Sequence, residues 1–150
     1  MKKHIFLLFL FLSGISMAQT TKEASTSTLP KAQVAESKQS VTLDGKVIPL
    51  LAKAGTMELK DENNRPIALF GFTAYFKENP EKNRPIVFAF NGGPGSSSYW
   101  LHMGVMGPKR IVVDDPNYNA AAPYQLTNNE FSILDVADVV MMDPVGTGLS

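Results

Sequence analysis

The chain has 150 residues, with 14 Lys and Arg balanced by 14 Asp and Glu, and it contains no cysteine. That balance gives no electrostatic case for nucleic acid or an anionic membrane surface, and Lys109-Arg110 reads as an ordinary solvated pair. Without cysteine there are no disulfides, so packing must hold whatever fold forms.

Residues 1–18 begin with Lys2 and Lys3, continue through an apolar run from Ile5 to Leu12, and close on Ser16-Met17-Ala18. This is the pattern of a secretory signal peptide cut between Ala18 and Gln19. The apolar run falls short of the roughly 18 to 20 residues a membrane span needs, so no stable membrane anchor is expected. A secreted or periplasmic protein is. Residues 19–40 are rich in Thr, Ser, Lys, Ala and Glu and hold no aromatic residue. They bury too little apolar surface to offset their ordering entropy and are expected to form a disordered leader.

Order is expected from Val41 onward, with residues 41–150 as the folded part. Thr56 to Lys60 and Ile67 to Phe76 flank the polar break 61–66 and predict a β-hairpin. Ile86 to Phe90 is a short run of β-branched and aromatic residues, read as a buried central strand. It breaks into Asn91-Gly92-Gly93-Pro94-Gly95, then Ser96-Ser97-Ser98. Adjacent glycines there require either a positive φ or a close backbone approach. A helix is predicted from Ser97 or Ser98 to Met106, with a serine as its N-cap. Strand, glycine turn and helix N-terminus together direct bare N–H groups toward negative charge.

Gly107-Pro108 ends the helix, and Arg110 to Val113 predicts a short strand. Asp114 to Leu126 is a polar excursion, Ser132 to Asp135 a helical turn, and Val139 to Met142 a second buried strand. That strand ends in Asp143-Pro144-Val145-Gly146-Thr147-Gly148. Two apolar strands separated by a helix imply an α/β fold, with a parallel sheet covered on both faces. Both glycine turns follow strand carboxyl ends, so they should share one rim, where ligands of such sheets bind.

Other chemistries fit less well. A phosphate loop would need G-x-x-x-x-G-K-[ST] spacing, and Pro94 removes a donor. Asp115-Pro116-Asn117-Tyr118-Asn119 imitates the start of a calcium loop, but Ala120 and Leu126 stand where Gly and Glu are required. Metal-ligand spacings are absent, and neither a metal nor a cofactor is expected. Ser96, Ser97 and Ser98 are read as helix caps rather than nucleophiles.

Asn91 to Ser98, followed downstream by Met142 to Ser150, resembles the serine carboxypeptidase family of α/β-hydrolases. The family carries an Asn-Gly-Gly-Pro-Gly segment after one strand and an Asp-(Gln)-Pro-Val-Gly-Thr-Gly-aromatic-Ser segment after a later one. The resemblance covers residues 41–150 and implies the N-terminal portion of an α/β-hydrolase fold: a hairpin, then central parallel strands with a crossover helix. It implies that the Gly93 backbone N–H is an oxyanion-hole donor. It also implies that Asn91 and Gly92 hold the free C-terminal carboxylate of a peptide substrate. An amide and bare N–H groups suit that task, since they place no cation beside the developing oxyanion. Ala89 stands where eukaryotic members often have Trp, Ser96 where many have Cys, and Leu149 where an aromatic is usual.

The triad is not assembled here. No G-x-S-x-G elbow occurs, and Gly95-Ser96-Ser97-Ser98-Tyr99 lacks the closing glycine. His102 is the only histidine outside the signal peptide, and it reads as a helix-face or core-edge residue. The run stops at Ser150 inside the second motif, so the expectation is a sequence truncated at 150 whose triad Ser, Asp and His lie outside it. An esterase or acyltransferase of the same fold is the near alternative, and a non-catalytic secreted binding module the distant one.

Overall fold

The computed structural model describes residues 29–113 and 122–150. The signal-peptide segment, the leader up to residue 28 and the 115–119 stretch lie outside the described residues. Five strands form one mixed sheet: β1 (Val34–Leu43), β2 (Lys46–Lys60), β3 (Pro66–Lys77), β4 (Ile86–Phe90) and β7 (Asp138–Asp143). Their order is β1-β2-β3-β7-β4, and β5 (Lys109–Ile111) pairs with β6 (Leu126–Asn128) in a separate ribbon.

The first three strands are an antiparallel meander. β1 and β2 are joined by Asp44 and Gly45, with φ of 48° and 74°. Two consecutive positive φ values twist a two-residue loop to match its strands, which is why Asp-Gly works there. The expected hairpin is β2–β3; β2 starts ten residues before Thr56 and ends at Lys60 as expected, and β3 runs one residue beyond each end of its predicted arm. In its turn, Asp61 Oδ1 accepts from the N–H of Asn63 and of Arg65, both at 2.9 Å. A side chain that satisfies the backbone two residues on stabilises such a loop.

One expectation is corrected here. Val34 to Ser40, assigned to the disordered leader, forms most of β1, with Val34 opposite Gly55 and Ser40 opposite Pro49. These side chains are exposed, so apolar burial does not hold them in place. Backbone pairing along a 15-residue β2 does, and composition cannot report that.

β7 sits between β3 (antiparallel) and β4 (parallel), with Val87 opposite Val139 and Phe90 opposite Met142. The parallel pair predicted from the two apolar runs is therefore present. Its environment differs from the expectation. β7 is covered on both faces, whereas β4 is an edge strand in the described sheet, and Phe88 and Phe90 are 62% and 66% exposed. Only Ala89 of β4 is buried, because the described residues cover one face of it alone.

The predicted helix is also altered. A single α-turn, α1 (Tyr99–Leu101), runs into a π-helical turn over His102–Met106. The Gly107 N–H donates to the His102 carbonyl at 3.0 Å, five residues back. A side chain at Gly107 would lie 2.2 Å from that carbonyl, so glycine permits the wider turn. Buried Asn129 donates to the carbonyls of Val105 (2.9 Å) and Gly107 (2.8 Å), and Ser132 Oγ donates to that of Met106 (2.8 Å). Together they satisfy acceptors that a short helix leaves unpaired. The helical turn expected at Ser132 to Asp135 lies one residue later, where the Ile133 carbonyl accepts from Val136 and Ala137. Arg110 is not simply solvated: it pairs with Glu130 at 2.8 Å and lies over the Phe131 ring. Among the described residues no helix is long and apolar enough to cross a membrane.

The core joins both halves of the sheet through Val41, Leu43, Leu50, Tyr75, Ala89, Leu134, Val139 and Met141. Beneath it Arg84, whose side chain is 4% exposed, pairs with Asp138 Oδ1 at 2.8 Å. The same guanidinium donates to the carbonyls of Leu134, Asp135 and Ala137. It fixes the loop that delivers the chain into β7. Replacing Arg84 with Met strands a buried carboxylate, and urea unfolding should show a loss of about 3–5 kcal/mol. Arg84→Lys should recover little of it, because an ammonium cannot reproduce the guanidinium fork.

Candidate functional site

Because β4 and β7 are parallel neighbours, their carboxyl ends emerge side by side, and both glycine turns occupy that rim. In the first turn, Gly93 and Gly95 have φ of 94° and 76°, a region glycine enters without penalty. Gly92 and Gly93 are exposed and Asn91 is partly buried. The Ser96 N–H closes the turn on the Gly93 carbonyl at 3.3 Å. In the second, the Thr147 N–H and hydroxyl both donate to the Pro144 carbonyl, at 3.0 and 2.7 Å.

The two turns meet at Asp143, the last residue of β7, which is 7% exposed. Its Oδ1 accepts from both the N–H and the hydroxyl of Ser98, each at 2.7 Å. Its Oδ2 accepts from the Leu149 N–H at 3.1 Å. Ser150 Oγ donates to the Asp143 carbonyl at 2.7 Å and accepts from the Gly71 N–H at 2.5 Å, which ties the second turn to β3. Burial pushes the Asp143 carboxyl up. The two Ser98 bonds, the Leu149 N–H and the nearby His102 outweigh it, so the group stays below its ordinary range.

The expected serine capping is therefore corrected. Ser98 occupies the N-cap position without a side-chain cap bond. Its hydroxyl points away to Asp143, and the carboxylate that ends a neighbouring strand takes the helix-terminal N–H instead. Ser98 is buried, and its hydroxyl partner is a carboxylate rather than a histidine, so it is not placed as a nucleophile. His102 Nε2 lies 2.6 Å from the Tyr75 hydroxyl, with the rings 5.5 Å apart and tilted by 56°. It is the core-edge histidine the sequence suggests. Both residues line an open cavity of about 260 Å³ with β1 and β2, and no residue of either turn lines it. The sequence reading places Asp143 at the end of the second strand and inside the second family motif, but gives it no role of its own. A carboxylate placed directly after a buried apolar strand was the available signal, since such a charge needs dedicated donors.

The family model described as serine carboxypeptidase matches residues 45–150. The chain belongs to the serine carboxypeptidase family. It is 39% identical over 104 residues to the pheromone-processing carboxypeptidase KEX1 of Clavispora lusitaniae, covering 69% of this chain and 14% of that protein. It is 35% identical over 83 residues to serine carboxypeptidase-like 15 of Arabidopsis thaliana, covering 55% of this chain and 18% of that protein. Among solved structures it is similar to Kex1(delta)p, a prohormone-processing carboxypeptidase from Saccharomyces cerevisiae. That match has a TM-score of 0.49 and 29% identity, over 66% of this chain and 20% of the other. The chain thus spans less than a fifth of the length of the two curated relatives.

His102 yields a pH test. Burial lowers its pKa from 6.5, against a smaller upward pull from Asp143. The unfolded chain then binds the proton more readily than the fold, so the histidine's contribution is complete above pH 6.5 and is lost as pH falls through the lowered native value. Urea midpoints measured from about pH 7.5 down to pH 5 should decline, and His102→Gln should flatten that decline.

Proposed function

We propose that this segment is the oxyanion-binding and carboxylate-binding part of a secreted serine carboxypeptidase with an α/β-hydrolase fold. The enzyme would remove C-terminal residues from peptides by Ser-His-Asp acyl transfer. The observation that carries the reading is the pairing of the two family turns on one rim, at the carboxyl ends of adjacent parallel strands. The triad is assigned to residues outside these 150, and the signal peptide to export.

In this mechanism the nucleophilic hydroxyl adds to the scissile carbonyl carbon and passes its proton to the histidine. The carbonyl oxygen takes the negative charge, and the Gly93 N–H is set to receive it. Collapse of the intermediate breaks the C–N bond, and the histidine returns the proton to the departing C-terminal amino acid. Water then releases the acyl group by the reverse sequence. Asn91 and Gly92 hold the substrate carboxylate through neutral donors, so recognition does not compete with oxyanion stabilisation.

The test uses the protein expressed from its complete reading frame, assayed on peptides with free and amidated C-termini. Free termini should be preferred by at least about a hundredfold in kcat/KM, less than the roughly 10⁴- to 10⁵-fold of a fully buried polar site because Asn91 is partly buried and Gly92 exposed. Equal rates on both, or turnover of esters alone, would reject the carboxypeptidase assignment in favour of an esterase or acyltransferase. Gly93→Ala should reduce kcat by about 10²- to 10³-fold with little change in KM. Its methyl would meet only Ser96 Oγ, at 3.6 Å, so the effect comes from losing a φ of 94°. Residues 19–150 expressed alone should show no hydrolysis, and measurable turnover there would overturn the placement of the triad.

A further inference from the structure

Between Gly93 and the helix the chain has little of its own to hold it. The turn's closing bond, Ser96 N–H to the Gly93 carbonyl, is long at 3.3 Å, and Gly92 to Gly95 are exposed. The next fixed point is Ser98, where two 2.7 Å bonds run to a buried carboxylate. Hydrogen bonds to an ionised acceptor are shorter and about twice as strong as neutral ones. That carboxylate belongs to a strand paired on both sides, so its own position is fixed by the sheet.

The other oxygen holds the second turn. Oδ2 accepts from Leu149, and a side chain on Gly148 would lie 2.0 Å from it. The backbone therefore approaches Asp143 as closely as glycine allows. One rigid side chain ties both turns to the same point of β7.

We propose that Asp143 is a positioning residue for the acyl-transfer site: through Ser98 it sets where the Asn91–Gly95 turn lies, and so sets the rate of the chemical step. It touches no reacting atom. The inference rests on the reading of Gly93 as an oxyanion donor, and the experiment separates the two.

In the protein from the complete reading frame, Asp143→Ala should lower kcat about a hundredfold, the cost typical of a misplacement near 1 Å, while KM stays within about threefold. Amide exchange at Ser96 and Ser98 should accelerate by more than about tenfold in the same variant. Asp143→Asn keeps an oxygen for Ser98 but turns an NH₂ toward Leu149. It should therefore retain Ser98 protection and most of kcat while Leu149 exchanges faster. Leu50→Ala, a core truncation at the far end of the sheet, should lower the melting temperature and leave kcat alone.

Wild-type kcat in Asp143→Ala would overturn the proposal, as would an equal kcat loss in Leu50→Ala. Should Asp143→Ala fail to fold, Asp143→Asn decides: protected Ser98 with retained kcat supports the clamp, and protected Ser98 with kcat lost overturns it. If the unsubstituted protein hydrolyses neither peptide nor ester, the functional reading fails and amide exchange judges the clamp. Unchanged protection of Ser96 and Ser98 in Asp143→Ala would then overturn it.

Discussion

A buried carboxylate at the end of β7 is the constraint on which the rim depends. Taking Asp143 out of water is costly unless donors meet it, and three do: the hydroxyl and N–H of Ser98 and the N–H of Leu149. Those donors lie on two segments far apart in sequence. Satisfying one charge therefore requires both glycine turns to converge, and leaves little freedom in where they do so. Gly148 follows from the same requirement, because no side chain fits between its backbone and the carboxylate.

β7 is pinned at both ends by the same device. Asp138 opens the strand and is held by Arg84 and the Lys77 N–H, and Asp143 closes it. Between them lie Val139, Val140, Met141 and Met142, residues similar enough that side-chain packing alone discriminates weakly between registers. A slip of one residue would turn the strand over and pull both carboxylates from their donors. Two buried aspartates thus specify the register that the apolar run leaves open, and the alignment of β7 with β4 is what brings the turns level.

Much of this architecture was readable from residue patterns. The β2–β3 hairpin, the two apolar strands and their shared rim followed from local chemistry: polar turn formers, β-branched runs, glycines at strand ends. The failures share a cause, which is long-range pairing. Val34 to Ser40 looks like leader because its side chains bury nothing, yet its backbone ladder with β2 does not depend on them. Asp44-Gly45, flanked by Val41-Thr42-Leu43 and Lys46-Val47-Ile48, was a hairpin signal at hand, and it would have moved the start of order upstream. Ser98 satisfies every rule for a helix cap but meets a stronger acceptor 45 residues away. The π-turn depends on Gly107 fitting against His102, which no periodicity reveals. That no G-x-S-x-G elbow occurs in these residues is readable directly, because the elbow is a local motif.

The exposed side of β4 has a consequence for handling the chain. Ile86, Phe88 and Phe90 point outward from a strand whose outer ladder is unpaired among the described residues. A short, flat, apolar edge without charge or an internal proline is a template for adding another strand, and natural proteins avoid leaving one bare. Left bare, that edge would let the polypeptide recruit copies of itself there. Its solubility would then fall with concentration well before its core unfolded, so aggregation of such a preparation would report an uncovered strand rather than a misfolded rim.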